Sequence, residues 1–319
     1  MTEVVSGLSG KPPWNLRIMA RILICGTLAY DDIGTFAAPW SATTRNVKLD
    51  QLHRRFGGCA MNIAYNLAGL GHQAVPLVYA GDDYWGRYAR HVSASGISDA
   101  GIFGIAGTPS ARGIVLTGPD GVQFTAFYPG PSGLERWQQD LEELLTGPPF
   151  DAAIVAPDLP EKMSGYTLRL RGLPLVVWCP GQYAEMLTPT HIAAALEGTQ
   201  LLVVNRHEWQ ALCAQLTAEH ICDRVPRVVI TDGPRPVTIL PERIAVPVPE
   251  PSARAALDPT GCGDAFVAAL ASALLAQADA PAAVTAGVHM AARCLAFRGA
   301  QTHVPKAATA RASETLKKR

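Results

Sequence analysis

Short apolar runs alternate with longer amphipathic stretches along most of this chain of 319 residues. The runs have the length of buried strands, whereas the stretches between them have the length and apolar spacing of helices. Strand candidates cover residues 21–25, 74–80, 152–156, 175–178, 201–204 and 228–230, and helix candidates cover residues 59–70, 84–95, 208–215 and 281–297. The alternation predicts an α/β fold in which helices cover both faces of a largely parallel central sheet.

Residues 111–127 do not follow this alternation. Apolar and polar residues alternate on both sides of the turn sequence Gly118-Pro-Asp-Gly121, and this pattern predicts an antiparallel hairpin. Together with an extended stretch after Asp31, the hairpin would form a small second sheet, with strands drawn from residues 31–56 and 111–129. An edge hairpin of the main sheet is the alternative.

The composition is that of a globular chain with one large core, because 48% of the residues are hydrophobic and 17% are charged. Basic and acidic residues number 27 each, which gives no electrostatic reason to expect a nucleic-acid or membrane partner. The longest apolar stretch, near residues 265–276, is shorter than the ~20 residues of a membrane-spanning helix. Seven scattered cysteines without a Cys-x-x-Cys pair indicate reduced thiols and a cytoplasmic protein.

The two ends of the chain differ from its middle. Residues 1–20 contain serine, glycine and proline but no signal-peptide core, so we expect a disordered tail there, with Met19 as an alternative start. Residues 21–308 form one predicted domain, and residues 309–319 form a second tail.

The segment from Asp258 to Asp264 joins two glycines and two carboxylates directly to an apolar helix candidate. Gly261 and Gly263 permit a sharp turn, and the amides of Gly261, Cys262 and Gly263 would lack partners within the helix. Free amides at a helix N-terminus attract phosphate oxygens, and Asp264 would lie beside them. The segment therefore indicates phosphoryl transfer, with a capped helix start as the structural alternative.

This segment resembles the signature of the ribokinase-like sugar and nucleoside kinases, the PfkB family. In that family the last aspartate, here Asp264, is the catalytic base, and the glycine amides neutralise charge on the transferred phosphoryl group. The resemblance extends over residues 21–305. It implies a three-layer α/β/α core with a small β-sheet lid, and it implies ATP and Mg²⁺ as cofactors.

Two further segments would form the acceptor side. Asp31 follows the first strand, at the carboxyl edge where open α/β sheets bind ligands, and its carboxylate can accept hydrogen bonds from two hydroxyl groups. A loop or cap role is the alternative. Gly57 and Gly58 open a helix that contains Asn62, and this turn resembles the first family signature. The resemblance implies that the glycines let a sugar approach the backbone and that Asn62 reaches sugar hydroxyls.

Several further segments are similar to the broad-specificity nucleoside kinases of prokaryotes, namely residues 29–31, 56–65, 125–130, 180–182 and 299–302. This similarity implies a ribonucleoside acceptor, with a purine expected, that is phosphorylated at its 5′-hydroxyl. Phe36, Phe127 and Tyr128 would then offer flat apolar surface to the base, or else pack within the lid. Gln182 would hydrogen-bond the base or close a turn.

The residues expected to bind the nucleotide are marked by weaker sequence patterns. The tetrapeptide from Asn205 to Glu208 follows a buried strand and matches a family motif whose glutamate holds magnesium through water, although the same pattern caps helices. Thr231 and Gly233 correspond to the family loop over the nucleotide. Pro236 replaces the usual second glycine there and removes an amide, which leaves the affinity for ATP and the choice of donor open.

We therefore expect a cytoplasmic, magnesium- and ATP-dependent phosphotransferase that acts on a nucleoside, with Asp264 as general base. A kinase for a free sugar or sugar acid is one alternative, and a catalytically idle ligand-binding homologue is another. A small-molecule acceptor is the expected partner, and a homodimer is left open.

Overall fold

The computed structural model describes residues 19–37, 45–119, 123–250 and 258–303. Most of the predicted N-terminal tail, the predicted C-terminal tail and residues 120–122 of the predicted hairpin lie outside these ranges. Ala20 was expected in the tail, but it is buried, and its carbonyl accepts a hydrogen bond from the Gln73 amide at 2.9 Å. The packed core therefore begins just before the first strand.

The described residues form thirteen strands. In chain order they are β1 Arg21–Cys25, β2 Ala29–Thr35, β3 Gln51–Gly57, β4 Gln73–Ala80, β5 Ile102–Gly104, β6 Ala111–Thr117, β7 Gln123–Tyr128, β8 Ala152–Val155, β9 Val176–Trp178, β10 Leu201–Asn205, β11 Arg227–Asp232, β12 Arg235–Leu240 and β13 Ile244–Val246.

The described residues also form nine α-helices, which are α1 Cys59–Leu70, α2 Arg87–Ala94, α3 Trp137–Leu145, α4 Pro160–Leu170, α5 Pro189–Glu197, α6 Arg206–Gln215, α7 Ala218–Cys222, α8 Cys262–Leu275 and α9 Ala280–Leu295. Short 3₁₀ turns cover Asp82–Trp85 and Gly181–Met186. Among the described helices, none combines the length and the apolar character that a membrane crossing requires.

The main sheet has the strand order β13-β12-β11-β10-β9-β8-β1-β4-β5. Neighbouring strands are parallel from β5 across to β11, whereas β12 and β13 add to one edge in antiparallel fashion. The largely parallel sheet that the sequence predicts is thus confirmed. Because parallel strands end at the same edge, the loops that follow β1, β8, β9 and β10 lie together.

Two helical layers cover this sheet. In β1, Ile22 and Ile24 belong to the core beneath α1, α8 and α9, whereas Leu23 and Cys25 belong to the core beneath α3 to α7. This division follows from the alternation of side chains along a strand. The result is the predicted three-layer α/β/α arrangement.

A second sheet of four strands stands at the carboxyl edge of the main sheet. Its order is β3-β2-β6-β7, with β2 and β6 parallel and the outer pairs antiparallel. The hairpin of β6 and β7 is confirmed, with Arg112 opposite Tyr128. The chain passes from β1 into β2 through only three residues, Gly26 to Leu28, so the small sheet begins directly above the edge of the main sheet.

A buried ion pair links the loop after β8 to helix α4. Lys162 and Asp158 are 1% and 4% exposed, and Lys162 Nζ lies 2.7 Å from Asp158 Oδ2. The ammonium group also donates to the carbonyl of Ser132 at 2.8 Å. Burial raises the pKa of Asp158, while the charge of Lys162 opposes this shift. Each charge therefore depends on the other to remain in the interior.

Lys162→Met should destabilise the protein by about 3–5 kcal/mol, because it leaves a buried carboxylate without its counter-charge. The double variant Asp158→Asn/Lys162→Met should regain part of this loss. Arg169→Met is the control, since Arg169 forms a half-exposed pair with Glu142 and its loss should cost less than about 1 kcal/mol. Urea unfolding measures all three, and equal costs for the two single variants would contradict the prediction.

Candidate active site

The carboxylate of Asp264 lies in the first turn of α8 and faces helix α1. Asn62 Nδ2 donates a hydrogen bond to Asp264 Oδ2 at 2.8 Å. Burial, together with the charges of Asp31 and Glu208, raises the pKa of Asp264 to about 7, although the hydrogen bonds from Asn62 and Cys59 act in the opposite direction. A carboxylate with a pKa near neutrality is suited to accept a proton from a hydroxyl group.

The turn that precedes α8 requires glycine at position 261. Gly261 caps the helix with a φ of 79°, and a Cβ atom there would lie 2.4 Å from the Cβ of Ala300. Asp258 holds the turn, because its carboxylate accepts hydrogen bonds from the amides of Thr260 at 3.0 Å and Gly299 at 2.8 Å. Position 263 is open, with no atom near the place of a Cβ. The helix N-terminus is therefore accessible to an anion.

The structure corrects one expectation about this turn. The amide of Cys262 was predicted to be free, but it donates to the carbonyl of Pro259 at 3.1 Å, because residues 259–262 close a tight turn. The amides of Gly261 and Gly263 remain candidate phosphate donors. The Cys262 thiol lies beside the thiol of Cys294, whose hydrogen bond lowers the pKa of Cys262.

Asp31 lies in β2 between two glycines. A Cβ atom at Gly57 in β3 would lie 2.1 Å from Asp31 Oδ2, and one at Gly113 in β6 would lie 2.9 Å from Asp31 Oδ1. Both neighbouring strands thus leave room for the carboxylate. Burial raises the pKa of Asp31 to about 6, and the charges of Asp258 and Asp32 add to this effect. The charge of Asp31 also raises the pKa of Asp264, so the two carboxylates act on each other electrostatically.

Gly58 fixes the start of helix α1. Its φ is 89°, and a Cβ atom there would lie 2.5 Å from the carbonyl oxygen of Thr27. The carbonyl of Gly58 accepts the amide of Asn62 at 2.9 Å and closes the first turn. The glycine pair thereby brings β1, β3 and α1 into contact and places Asn62 beside Asp264.

Asn205 and Glu208 form a reciprocal helix cap at the start of α6. The Glu208 carboxylate accepts the backbone amide and the side-chain amide of Asn205 at 3.0 and 2.6 Å, and Asn205 Oδ1 accepts the Glu208 amide at 2.9 Å. The helix-capping alternative is therefore realised. Burial raises the pKa of Glu208, whose charge also reaches Asp264.

The described residues hold no group of three or more His, Cys, Asp or Glu side chains that could bind a metal ion. Magnesium usually keeps several waters and binds one or two carboxylates together with substrate phosphates. A single half-buried carboxylate at a strand end, such as Glu208, fits this mode of binding.

The remaining predicted positions spread over the nucleotide side and the small sheet. Gly233 has a φ of 59° and open space around it, while Thr231 Oγ1 donates to the carbonyl of Val204 at 3.5 Å. Phe127 is 46% exposed and Phe36 is 5% exposed. Gln182 is exposed on the 3₁₀ turn after β9. The phenylalanines and Gln182 stay predicted base contacts.

Sequence reasoning missed two groups of residues at this edge of the sheet. A cleft that begins at the loop after β1 is lined by residues that include Thr27, Leu28, Tyr79, Asp158, Lys162 and Tyr183, and Asp31 and Asn62 are not part of its lining. Gln301 is buried and donates to Asn62. These residues come from well separated segments, so no short motif marks them. Gln301 does lie in residues 299–302, which are similar to the nucleoside kinases.

The sequence model of the pfkB family of carbohydrate kinases matches residues 19–307. The chain is 24% identical to a nucleoside kinase from Methanocaldococcus jannaschii over 295 residues, which cover 90% of this chain and 94% of that protein.

Solved structures of nucleoside kinases and ribokinases are also similar to this chain. The nucleoside kinase of Burkholderia thailandensis in complex with inosine is 30% identical, with a TM-score of 0.77 and coverage of 89% of this chain and 94% of that one. The same protein has been solved in complex with ADP-inosine. A ribokinase from Thermotoga maritima, at 21% identity, superposes with a TM-score of 0.76 over 90% and 97% of the two chains. The ribokinase-like fold is thus confirmed.

The raised pKa of Asp264 predicts a specific dependence of stability on pH. The folded protein binds this proton more tightly than the unfolded chain, so stability is lost as the pH rises from about 4 towards the folded pKa of about 7. Asp264→Asn removes the loss, and the variant should gain stability over the wild type across this range. Urea unfolding at several pH values measures the difference. The exposed Asp223→Asn serves as control, and a flat difference for Asp264→Asn would contradict the prediction.

Proposed function

The chain belongs to the pfkB family of carbohydrate kinases, and on this basis we propose that it transfers the γ-phosphoryl group of ATP to the 5′-hydroxyl of a ribonucleoside. Family membership makes it a phosphotransferase and implies the use of ATP. The observation that carries the proposal is the arrangement at Asp264. A carboxylate with a pKa of about 7 lies next to an accessible helix N-terminus and accepts a hydrogen bond from Asn62.

The choice of a nucleoside acceptor is supported by the relatives. The Burkholderia thailandensis protein is a nucleoside kinase solved with inosine, and the curated Methanocaldococcus jannaschii relative is also a nucleoside kinase. We infer a purine nucleoside, because inosine carries a purine-type base. Phe127 is 46% exposed on β7 and lies opposite Gly113, on the same face of the small sheet as Asp31. It would offer flat surface to such a base, whereas the neighbouring Tyr128 points to the other face of the strand.

In the proposed reaction, Asp264 acts as the general base. The acceptor oxygen attacks the γ-phosphorus as its proton passes to the Asp264 carboxylate. The new O–P bond forms while the bond to the β,γ-bridging oxygen breaks, and ADP leaves. Because the pKa of Asp264 is about 7, a substantial share of this carboxyl group is ionised at neutral pH. It can therefore accept the proton and release it to water after each turnover.

Asp31 and Asn62 would hold the acceptor. Asp31 accepts hydrogen bonds from hydroxyl groups, and its place between Gly57 and Gly113 keeps side chains away from the sugar. Asn62 is buried beside Asp264 and would offer its second amide hydrogen to a hydroxyl group that enters the site. This arrangement would align the acceptor oxygen with Asp264, and alignment is the main requirement of phosphoryl transfer.

The N-terminus of α8 would stabilise the negative charge of the transferred group. The amides of Gly261 and Gly263, together with the helix dipole, would attract an anion at this position. Thr231 and Gly233 would contact the nucleotide. Glu208 would hold Mg²⁺ through water, and the bound ion would neutralise charge on the phosphate oxygens.

A panel of acceptors with ATP and Mg²⁺ tests the proposal directly. Inosine, guanosine and adenosine should be phosphorylated with much higher kcat/KM than ribose or fructose, because only a nucleoside uses both the hydroxyl-binding residues and the apolar surface. Phosphorus NMR of the product identifies the 5′-monophosphate. Preference for ribose would support the sugar-kinase alternative, and the absence of ATP turnover with every acceptor would support an idle binding protein.

Two single variants separate the proposed base from the proposed acceptor contact. Asp264→Asn keeps the size of the side chain but not its basicity, so kcat should fall by roughly 10²–10⁴-fold. Asp31→Ala should chiefly raise the KM for the nucleoside and leave that for ATP unchanged. Steady-state kinetics measures both. Near-normal turnover of Asp264→Asn would exclude it as the base.

A further inference from the structure

A row of buried hydrogen bonds continues behind the Asn62–Asp264 contact. Asn62 Oδ1 accepts a hydrogen bond from Gln301 Nε2 at 2.8 Å. Gln301 Oε1 in turn lies 2.8 Å from His91 Nε2. Asn62 and Gln301 are each 4% exposed, so neither amide can turn to water for a substitute partner.

The order of donors and acceptors in this row has one consistent solution. The ionised Asp264 carboxylate accepts hydrogen bonds only, so the Asn62 side chain must present its NH₂ group to it. The oxygen of Asn62 then faces Gln301, which must present its own NH₂ group. Gln301 is left with its oxygen towards His91, so His91 must carry hydrogen on Nε2. The orientation of each side chain therefore fixes that of the next.

The row is anchored at the end of strand β3. Gln301 Nε2 also donates to the Tyr88 hydroxyl at 3.2 Å, and that hydroxyl donates to the carbonyl of Gly57 at 2.7 Å. The His91 ring stacks on Phe56, with ring centroids 4.1 Å apart. The groups that orient Gln301 are thus held by the same residues that start helix α1.

We propose that Gln301 is a positioning residue for the phosphoryl transfer, which acts through Asn62 and is itself oriented by His91. Gln301 does not touch the acceptor. It prevents the Asn62 amide from rotating by half a turn, a motion that would place an oxygen against the Asp264 carboxylate. This inference rests on the proposed function, because it concerns the residue assigned there as the general base.

The chemical consequence concerns the proton affinity of Asp264. The groups that act on it are Asn62 and Cys59 of α1, which favour ionisation, and Asp31 of β2 and Glu208 of α6, which oppose it. Without the oriented amide of Asn62, the balance shifts towards the protonated form. A larger share of the enzyme would then lack its base at neutral pH.

Gln301→Met tests the proposal, because methionine has nearly the same length and volume but neither donates nor accepts a strong hydrogen bond. At pH 7 the kcat should fall by between about twofold and tenfold, the factor that one hydrogen bond is typically worth. The apparent pKa of the kcat profile should rise, so that much of the activity returns at high pH. The KM for ATP should remain unchanged.

His303→Phe is the matched control. His303 is also buried, lies two residues after Gln301, and forms a 2.8 Å hydrogen bond with Asn66 of the same helix α1. Its loss removes a comparable contact without touching the side-chain amide of Asn62. We expect reduced stability with an unchanged pH profile. If both variants shift the profile equally, the effect is structural and the positioning role is refuted.

A second variant and a direct titration cover other outcomes. His91→Phe keeps a ring stacked on Phe56 but removes the hydrogen-bond donor to Gln301. This variant should also raise the apparent pKa of the kcat profile, and it replaces Gln301→Met as the test if that variant does not fold. Carbon-13 NMR of aspartate-labelled protein follows the Asp264 carboxyl group, identified by its absence from Asp264→Asn. An unchanged titration in both folded variants would overturn the proposal. Because this measurement needs no turnover, it remains decisive even if Asp264→Asn is active and the proposed base is wrong.

Discussion

The site depends on keeping carboxylates close together at one edge of a sheet and partly out of water. Burial disfavours the ionised form of Asp264, and the nearby charges of Asp31 and Glu208 disfavour it further. The amide of Asn62 and the open helix N-terminus of α8 lower the free-energy cost of ionising Asp264. Each of these compensating groups requires backbone elements from distant parts of the chain to meet at that edge, which the order of the parallel strands accomplishes.

Much of the fold could be predicted from the sequence because it depends on local periodicity. Apolar runs marked the central strands, and the alternating residues around the turn at 118–121 marked the hairpin of the small sheet. The parts of the site that depend on backbone conformation could also be predicted, because Gly58 and Gly261 have positive φ angles that favour glycine. These features need no knowledge of distant residues.

The parts that sequence could not reveal depend on contacts between distant residues. Gly113 leaves room for Asp31 only because β6 happens to lie parallel to β2, and Gln301 meets Asn62 across 239 positions of the chain. The amide of Cys262 was expected to be free, since helix geometry alone leaves it unpaired, yet the turn from Pro259 satisfies it. The capping contact of Glu208 shows that one tetrapeptide can satisfy a helix end while the charge of its carboxylate still acts on Asp264.

The two central carboxylates lie on different parts of the fold, and this has an electrostatic consequence. Asp31 belongs to the small sheet, whereas Asp264 belongs to helix α8 of the main body. The charge of Asp31 raises the pKa of Asp264 across the boundary between the two parts. A group that neutralised Asp31 would therefore make Asp264 easier to ionise. Binding at the small sheet would thus alter the proton affinity of a side chain that belongs to the main body.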